Sequence, residues 1–215
     1  MDYGSAFAWV ALATGLIVGF YWGRVIKLVM KTRRLTGRAA NFLPPETLGK
    51  VLRIIWYPTV AVWIVSPLII WLLWATGISG VRALRPLYVN LPVQLLGLAA
   101  SFVALYLTMI CWRRMGKSWR MGIDPNEKTS LIVQGPYAMV RHPIYALQVL
   151  LVIATFVAVP VPMLAGVMVL LTIFLTWESL REEQYLLKAH GDPYANYLKQ
   201  VPRFLPSLAG RRYQA

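Results

Sequence analysis

The stretch GPYAMVRHPIY, residues 135–145, sets Arg141 and His142 against Pro143, with Tyr137 and Tyr145 on either side. A residue before proline is pushed out of the helical region, and proline suits the first position of a helix. The spacing therefore predicts a helix that starts at Pro143 with His142 at its cap. Unpaired N–H groups at a helix start attract anions, and Arg141 adds a permanent positive charge beside them. The two phenols add hydroxyls and aromatic faces. Such a surface suits a ligand with a carboxylate and a flat ring. It suits an interfacial anchor equally well, with Arg141 snorkelling and the tyrosines in the aromatic belt.

A second cluster lies in WESLREEQYLL, residues 177–187. Glu178 and Glu182 are four apart and share a helix face, as do Arg181 and Tyr185. With Glu183 they put carboxylates where an apolar run ends, able to pair with Arg141 or to bind a ligand's ammonium. Ionisable clusters at a membrane edge point to function; the alternative is a solvated helix face. His190, beside Gly191, reads as a turn residue. Cys111 is the single cysteine. It excludes an internal disulfide framework and a multi-cysteine metal site, and it reads as a buried thiol; no metal is expected.

These clusters must be held by membrane helices. Of the 215 residues 58% are hydrophobic, well above the share in soluble domains. Uncharged runs cover Tyr3–Gly23, the stretch after Arg53 to Thr76, Pro86–Trp112 and Pro143–Trp177. A spanning helix needs about 20 apolar residues, so the first three runs each predict one span. The fourth would reach about 52 Å as one helix, but its centre reads VAVPVP (157–162), where two prolines break it. The expectation is a hairpin of two helices of about 16–17 residues. The predicted fold class is all-α: a polytopic membrane protein of about five transmembrane helices, the last two a short hairpin, with polar segments closing a pocket.

The first run lacks the basic flank and cleavage site of a secretory signal, so it is expected to stay in the membrane. Net charge is +14, and its distribution speaks against nucleic acid. Segment 24–53 holds eight Lys/Arg, segment 113–142 six and the tail from Glu178 six, whereas the connection between the second and third runs holds Arg82 and Arg85. Basic loops stay cytoplasmic. The expected orientation has the N-terminus outside and the C-terminus inside, with both polar flanks of the hairpin on the cytoplasmic side, where they can meet. RVIKLVMKTRR (24–34) reads as an amphipathic continuation of the first helix, NFLPPETLGK (41–50) as a broken loop, and 191–206 as a short interfacial helix followed by a strap. Trp56, Trp63, Trp71 and Trp74 read as belt and packing aromatics.

The C-terminal half resembles the integral-membrane methyltransferases of the isoprenylcysteine carboxyl methyltransferase and phospholipid methyltransferase type. The resemblance rests on GKSWRMGID, GPYAMVRHPIY, the uncharged hairpin, REEQYLL and GDPYANYLKQVPRFLP, in that order over residues 113–206. It divides the chain into 1–112, three helices with a basic loop, and 113–215, a methyltransferase-like region. It implies an S-adenosyl-L-methionine site formed by Gly135, Pro136, Tyr137, His142, Pro143, Tyr145, Glu182 and Glu183, enclosed on the cytoplasmic side. A lipophilic acceptor would reach it from the bilayer: a prenylcysteine carboxylate, a lipid amine or a hydrophobic thiol. Arg141, His142 and Glu182 are the residues expected to act on the reacting groups. Arg141 would orient the acceptor, the glutamates would hold the cofactor's amino group, and His142 would hold its carboxylate or ring. Two positions depart from the family pattern: Leu147, where glycine is common, and Glu178, where arginine is common. An NADPH-dependent sterol or enone reductase and a non-enzymatic membrane scaffold are the competing readings.

Overall fold

The computed structural model describes residues 3–37, 46–78, 84–116, 119 and 131–206. It is helical, with no strand among the described residues: α1 (Tyr3–Thr36), α2 (Thr47–Ala75), α3 (Leu91–Met115), a 3-10 turn (Gly135–Ala138), α4 (Pro143–Ala158), α5 (Pro162–His190) and α6 (Asp192–Gln200). Helices α1, α2, α3 and α5 are long and apolar enough to cross a membrane, and α4 is a shorter apolar helix of 16 residues. At 1.5 Å per residue α4 reaches about 24 Å, less than a hydrocarbon core of about 30 Å. The molecule is thus a multi-pass membrane protein, with four helices long enough to span and one shorter apolar helix among the described residues. The GKSWRMGID motif falls mostly outside the described residues.

The hairpin break is where the prolines put it. Helix α4 ends at Ala158, and Pro162 opens α5 at a first helical position. The connection is buried and tied down: the Leu87 N–H donates to the Pro160 carbonyl at 2.7 Å, and the Tyr88 hydroxyl donates to the Val157 carbonyl at 2.7 Å. Gly97 of α3 faces this end of α4. A methyl group there would stand 2.5 Å from the Ala158 nitrogen, so a side chain would push the two backbones apart.

The second leg of the hairpin is longer than the sequence reading allows. Helix α5 does not stop at Trp177 but runs on to His190. Residues 178–190 are mostly Glu, Leu, Arg, Gln, Lys and Ala, all strong helix formers, and Arg181 pairs with Glu178 one turn back at 2.9 Å. Gly191, at φ 60°, ends the helix in a conformation that costs glycine little. α5 therefore carries the polar cluster rigidly out of the apolar body, which a loop would not do.

Candidate functional site

Pro143 is the first residue of α4 and His142 its cap, as the X-Pro geometry predicts. The chain reaches this point through a 3-10 turn opened by Gly135 at φ 64°. A strap, residues 201–203, then runs beside it. The Arg141 N–H donates to the Pro202 carbonyl at 2.8 Å and the His142 N–H to that of Arg203 at 3.1 Å. These two backbone donors are therefore taken by protein.

The hairpin flanks do meet, through Glu183. Arg141 Nε donates to Glu183 Oε1 at 3.0 Å, and Arg203 holds the same carboxylate with Nε at 2.9 Å and Nη2 at 2.8 Å. His142 Nε2 lies 3.2 Å from Glu183 Oε1. Arg141 Nη1 donates further to the carbonyls of Leu198 and Val201. Glu183 is buried, so these cationic partners compensate its lost hydration. The Arg203 guanidinium is held protonated more firmly than usual, chiefly by its hydrogen bonds to Glu183. One carboxylate thus locks α4, α5 and the strap together.

Glu182, the next residue on α5, faces elsewhere. Its side chain is 34% exposed, and Oε2 lies 3.7 Å from His142 Nδ1. It lines a cavity to which α1 to α5 all contribute: Tyr21 and Trp22, Arg53 and Trp56, Trp112, His142 to Tyr145, and Phe174 with Glu178. The His142 ring lies nearly parallel to that of Tyr145, centroids 5.5 Å apart. A second chamber shares Met115, Tyr137, Arg141, His142 and Glu182 with the first and adds Leu131, Leu186, Tyr194 and Tyr197. Burial keeps the Tyr137 phenol well above its ordinary pKa, with smaller contributions from Cys111, Glu182 and Tyr197, so it stays a protonated donor.

Of the residues expected to bind a cofactor, Tyr137, His142, Pro143, Tyr145 and Glu182 line the cavity, as does Arg141. Gly135 and Glu183 do not; one makes the turn and the other the lock. Pro136 lines an apolar groove on the far side of the turn, between the outer faces of α3 and α4 and residues 204–206. Pro143 borders both the cavity and this groove. Of the two departures from the family pattern, Leu147 lines the groove and Glu178 the cavity.

The sequence reading missed the walls. Trp56, taken as a packing residue, lines the cavity with Trp22, and both indole N–H groups are buried without a hydrogen-bond partner among the described residues. Arg53, taken as the edge of an apolar run, is 2% exposed. Its Nη2 donates to Glu178 Oε1 at 3.2 Å, and its guanidinium lies over the rings of Trp56 and Phe174 at 5.1 and 5.5 Å. A charge at the start of an otherwise apolar helix was the available signal.

Residues 95–189 match the isoprenylcysteine carboxyl methyltransferase (ICMT) family. The segment covers a little under half of the chain: most of α3, the 3-10 turn, α4 and nearly all of α5, with α1, α2 and α6 outside it. The nickel-cobalt-cadmium resistance protein NccN of Alcaligenes xylosoxydans xylosoxydans is 23% identical over 113 residues, 52% of this chain and 53% of that protein. The match thus spans about half the length of that relative. The segment that matches this family is the part of the chain that carries Arg141, His142 and both glutamates.

Proposed function

We propose that the protein transfers a methyl group from S-adenosyl-L-methionine to a lipophilic acceptor at the membrane. The observation that carries this reading is the composition of the cavity and of the chamber beside it. Such a ligand brings an ammonium, a carboxylate, hydroxyls and a flat ring with lone pairs. The cavity offers the Glu182 carboxylate for the first, and aromatic faces from Trp22, Trp56, Phe174 and Tyr145 for the ring. Trp22 Nε1, Trp56 Nε1 and the Tyr194 hydroxyl are buried donors without a partner among the described residues. Buried donors are normally satisfied, and two from residues lining the larger cavity with one from the chamber beside it fit a ligand rich in acceptors. The family match supports the same class of reaction.

When bound, S-adenosylmethionine supplies a methyl on a positively charged sulfur, and the charge disperses as the methyl leaves with the sulfur retaining the bond's electron pair. The protein's part is alignment and exclusion of water. Glu182 is the candidate holder of the cofactor's ammonium. His142, fixed between Glu183 and Tyr145, presents Nδ1 toward Glu182 and the cavity wall. Arg141, with Nε and Nη1 committed to Glu183 and the strap, fixes the turn and adds positive potential. The apolar groove, which has Pro143 in common with the cavity, is the proposed path for the acceptor's apolar part, and membrane lipids are its surroundings. The charge asymmetry of the loops supports an orientation with the N-terminus outside and the cavity on the cytoplasmic face.

The test is incubation of the purified protein in lipid with methyl-labelled S-adenosylmethionine and a membrane extract, followed by identification of the labelled product. S-adenosylhomocysteine should raise the melting temperature, because a ligand that binds the folded state stabilises it by mass action. Stabilisation by NADPH with none by S-adenosylhomocysteine would replace this reading with the reductase one. For orientation, a cysteine at Val89, which is exposed between α2 and α3, should react with an impermeant reagent from outside intact cells; reaction only after lysis would invert the topology.

A further inference from the structure

Helix α6 lies outside the segment that matches a family, yet it turns two tyrosines inward, Tyr194 at 1% and Tyr197 at 2% exposure. Their rings sit 5.8 Å apart, and both line the smaller chamber. Their hydroxyls have different fates. The Tyr197 hydroxyl donates to the Tyr137 carbonyl at 2.6 Å and so fastens α6 to the 3-10 turn. The Tyr194 hydroxyl is fully buried and has no partner among the described residues. An unsatisfied buried hydroxyl is a cost to the fold, and a chamber wall is where a ligand would remove that cost. Burial, and then the carboxylates of Glu183 and Glu182, hold the phenol well above its ordinary pKa. It therefore stays protonated and can donate.

We propose that Tyr194 is a ligand-binding residue whose hydroxyl donates to the carboxylate of the amino-acid end of an S-adenosyl ligand. The assignment rests on the S-adenosylmethionine reading above. It follows from what the smaller chamber adds to the polar side chains that the two share. The larger cavity is lined by Trp22, Trp56 and Phe174, which suits a flat ring. The smaller one shares Arg141, His142 and Glu182 with it and adds Tyr194, whose hydroxyl has no partner among the described residues. Glu182 borders both chambers, so an ammonium held there places the carboxylate, one carbon away, at the smaller chamber. The Glu183 and Glu182 carboxylates dominate the charge around the Tyr194 phenol, and they are offset in part by the Arg141 guanidinium, which lines the same chamber. Arg141 Nε and Nη1 are committed to protein, which leaves the phenol as a donor to complete the binding.

Calorimetry on the full chain in detergent or lipid tests this with Tyr194→Phe and two ligands, S-adenosylhomocysteine and 5′-methylthioadenosine, which lacks the amino-acid end. The variant should bind S-adenosylhomocysteine about tenfold or more weakly, in line with loss of a hydrogen bond to a charged group. Its affinity for methylthioadenosine should match that of the unaltered protein, and its melting temperature without ligand should be unchanged or higher. Unchanged affinity for S-adenosylhomocysteine overturns the proposal. An equal loss for both ligands overturns the carboxylate assignment by moving the contact to the nucleoside. A variant that unfolds or melts well below the unaltered protein shows the hydroxyl to be structural, which overturns it too. Failure of the unaltered protein to bind S-adenosylhomocysteine would instead remove the cofactor reading itself.

Discussion

Around Glu183 a single carboxylate holds Arg141, Arg203 and His142, and Arg141 goes on to bond the carbonyls of Leu198 in α6 and Val201 in the strap. Around Glu182, one residue earlier on α5, the side chain is a third exposed, and the nearby buried donors of Trp22, Trp56 and Tyr194 have no partner among the described residues. The two regions share His142 and a helix but differ in what they leave unfinished. Successive residues on a helix point about 100° apart, so adjacent glutamates can serve a closed network and an open one. A saturated polar network rigidifies the fold, whereas a buried polar group without a partner is a cost to it. The cavity thus has a rigid frame on one side and its unspent hydrogen-bonding capacity on the other.

The sharpest way to break this contrast is to remove Glu183. Glu183→Ala leaves Arg141 and Arg203 facing each other without their carboxylate, and stripping one side of a buried ion pair costs about 3–5 kcal/mol. Chemical denaturation in detergent should show a loss of that size; a loss below about 1 kcal/mol would mean that Glu183 does not lock the strap. Next in size is Arg53→Met. The methionine keeps an apolar stem on Trp56 and Phe174 but withdraws a charged hydrogen bond from Glu178, worth about 1.5–3 kcal/mol. Adding Glu178→Gln in the same chain should recover part of that loss, since the buried carboxylate that had kept only Arg181 as a cationic partner is gone. A double variant whose loss equals the sum of its singles would show that the two residues act separately.

Glu182→Gln should do the opposite of the Glu183 change, with little effect on stability and a clear effect on binding. A charge-assisted bond is worth about 1.5–3 kcal/mol, and partial exposure of Glu182 favours the lower end. S-adenosylhomocysteine affinity should therefore fall about tenfold, with the melting temperature nearly constant. Unchanged affinity would place Glu182 among the solvated residues of α5. The smallest effect expected is from Tyr197→Phe, which cuts the bond from α6 to the Tyr137 carbonyl and should cost about 0.5–1.5 kcal/mol. Set beside Tyr194→Phe, it measures how differently two tyrosines on one short helix are used.

Much of the frame was legible in the residues. The start of α4 at Pro143 and the break between α4 and α5 follow from proline acting on its own neighbours. The long apolar helices follow from composition summed over about 20 residues. The meeting of the hairpin flanks followed from the charge pattern, because both ends of a hairpin return to one side. The inner walls were not legible. Trp22 and Trp56 look like many membrane tryptophans, and their side chains mark the cavity only because α1 and α2 pack against α5. The continuation of α5 to His190 was available in its helix-forming residues but was hidden by the switch from apolar to polar at Trp177.

What the sequence by itself determined is what depends on a residue and its near neighbours: the start of α4, the hairpin break, the number of apolar helices and the candidate polar clusters. What only the tertiary structure decided is which member of each cluster is consumed and which is left open. Arg53 finds Glu178 across 125 positions, Arg141 finds Glu183 across 42, and Tyr197 finds the Tyr137 carbonyl across 60. Such pairings are fixed by how helices pack and by the cost of burying a charge or a hydroxyl without a partner. That cost is set by the surroundings in space, and so it gives Glu182 and Glu183, neighbours of one type in the chain, different tasks.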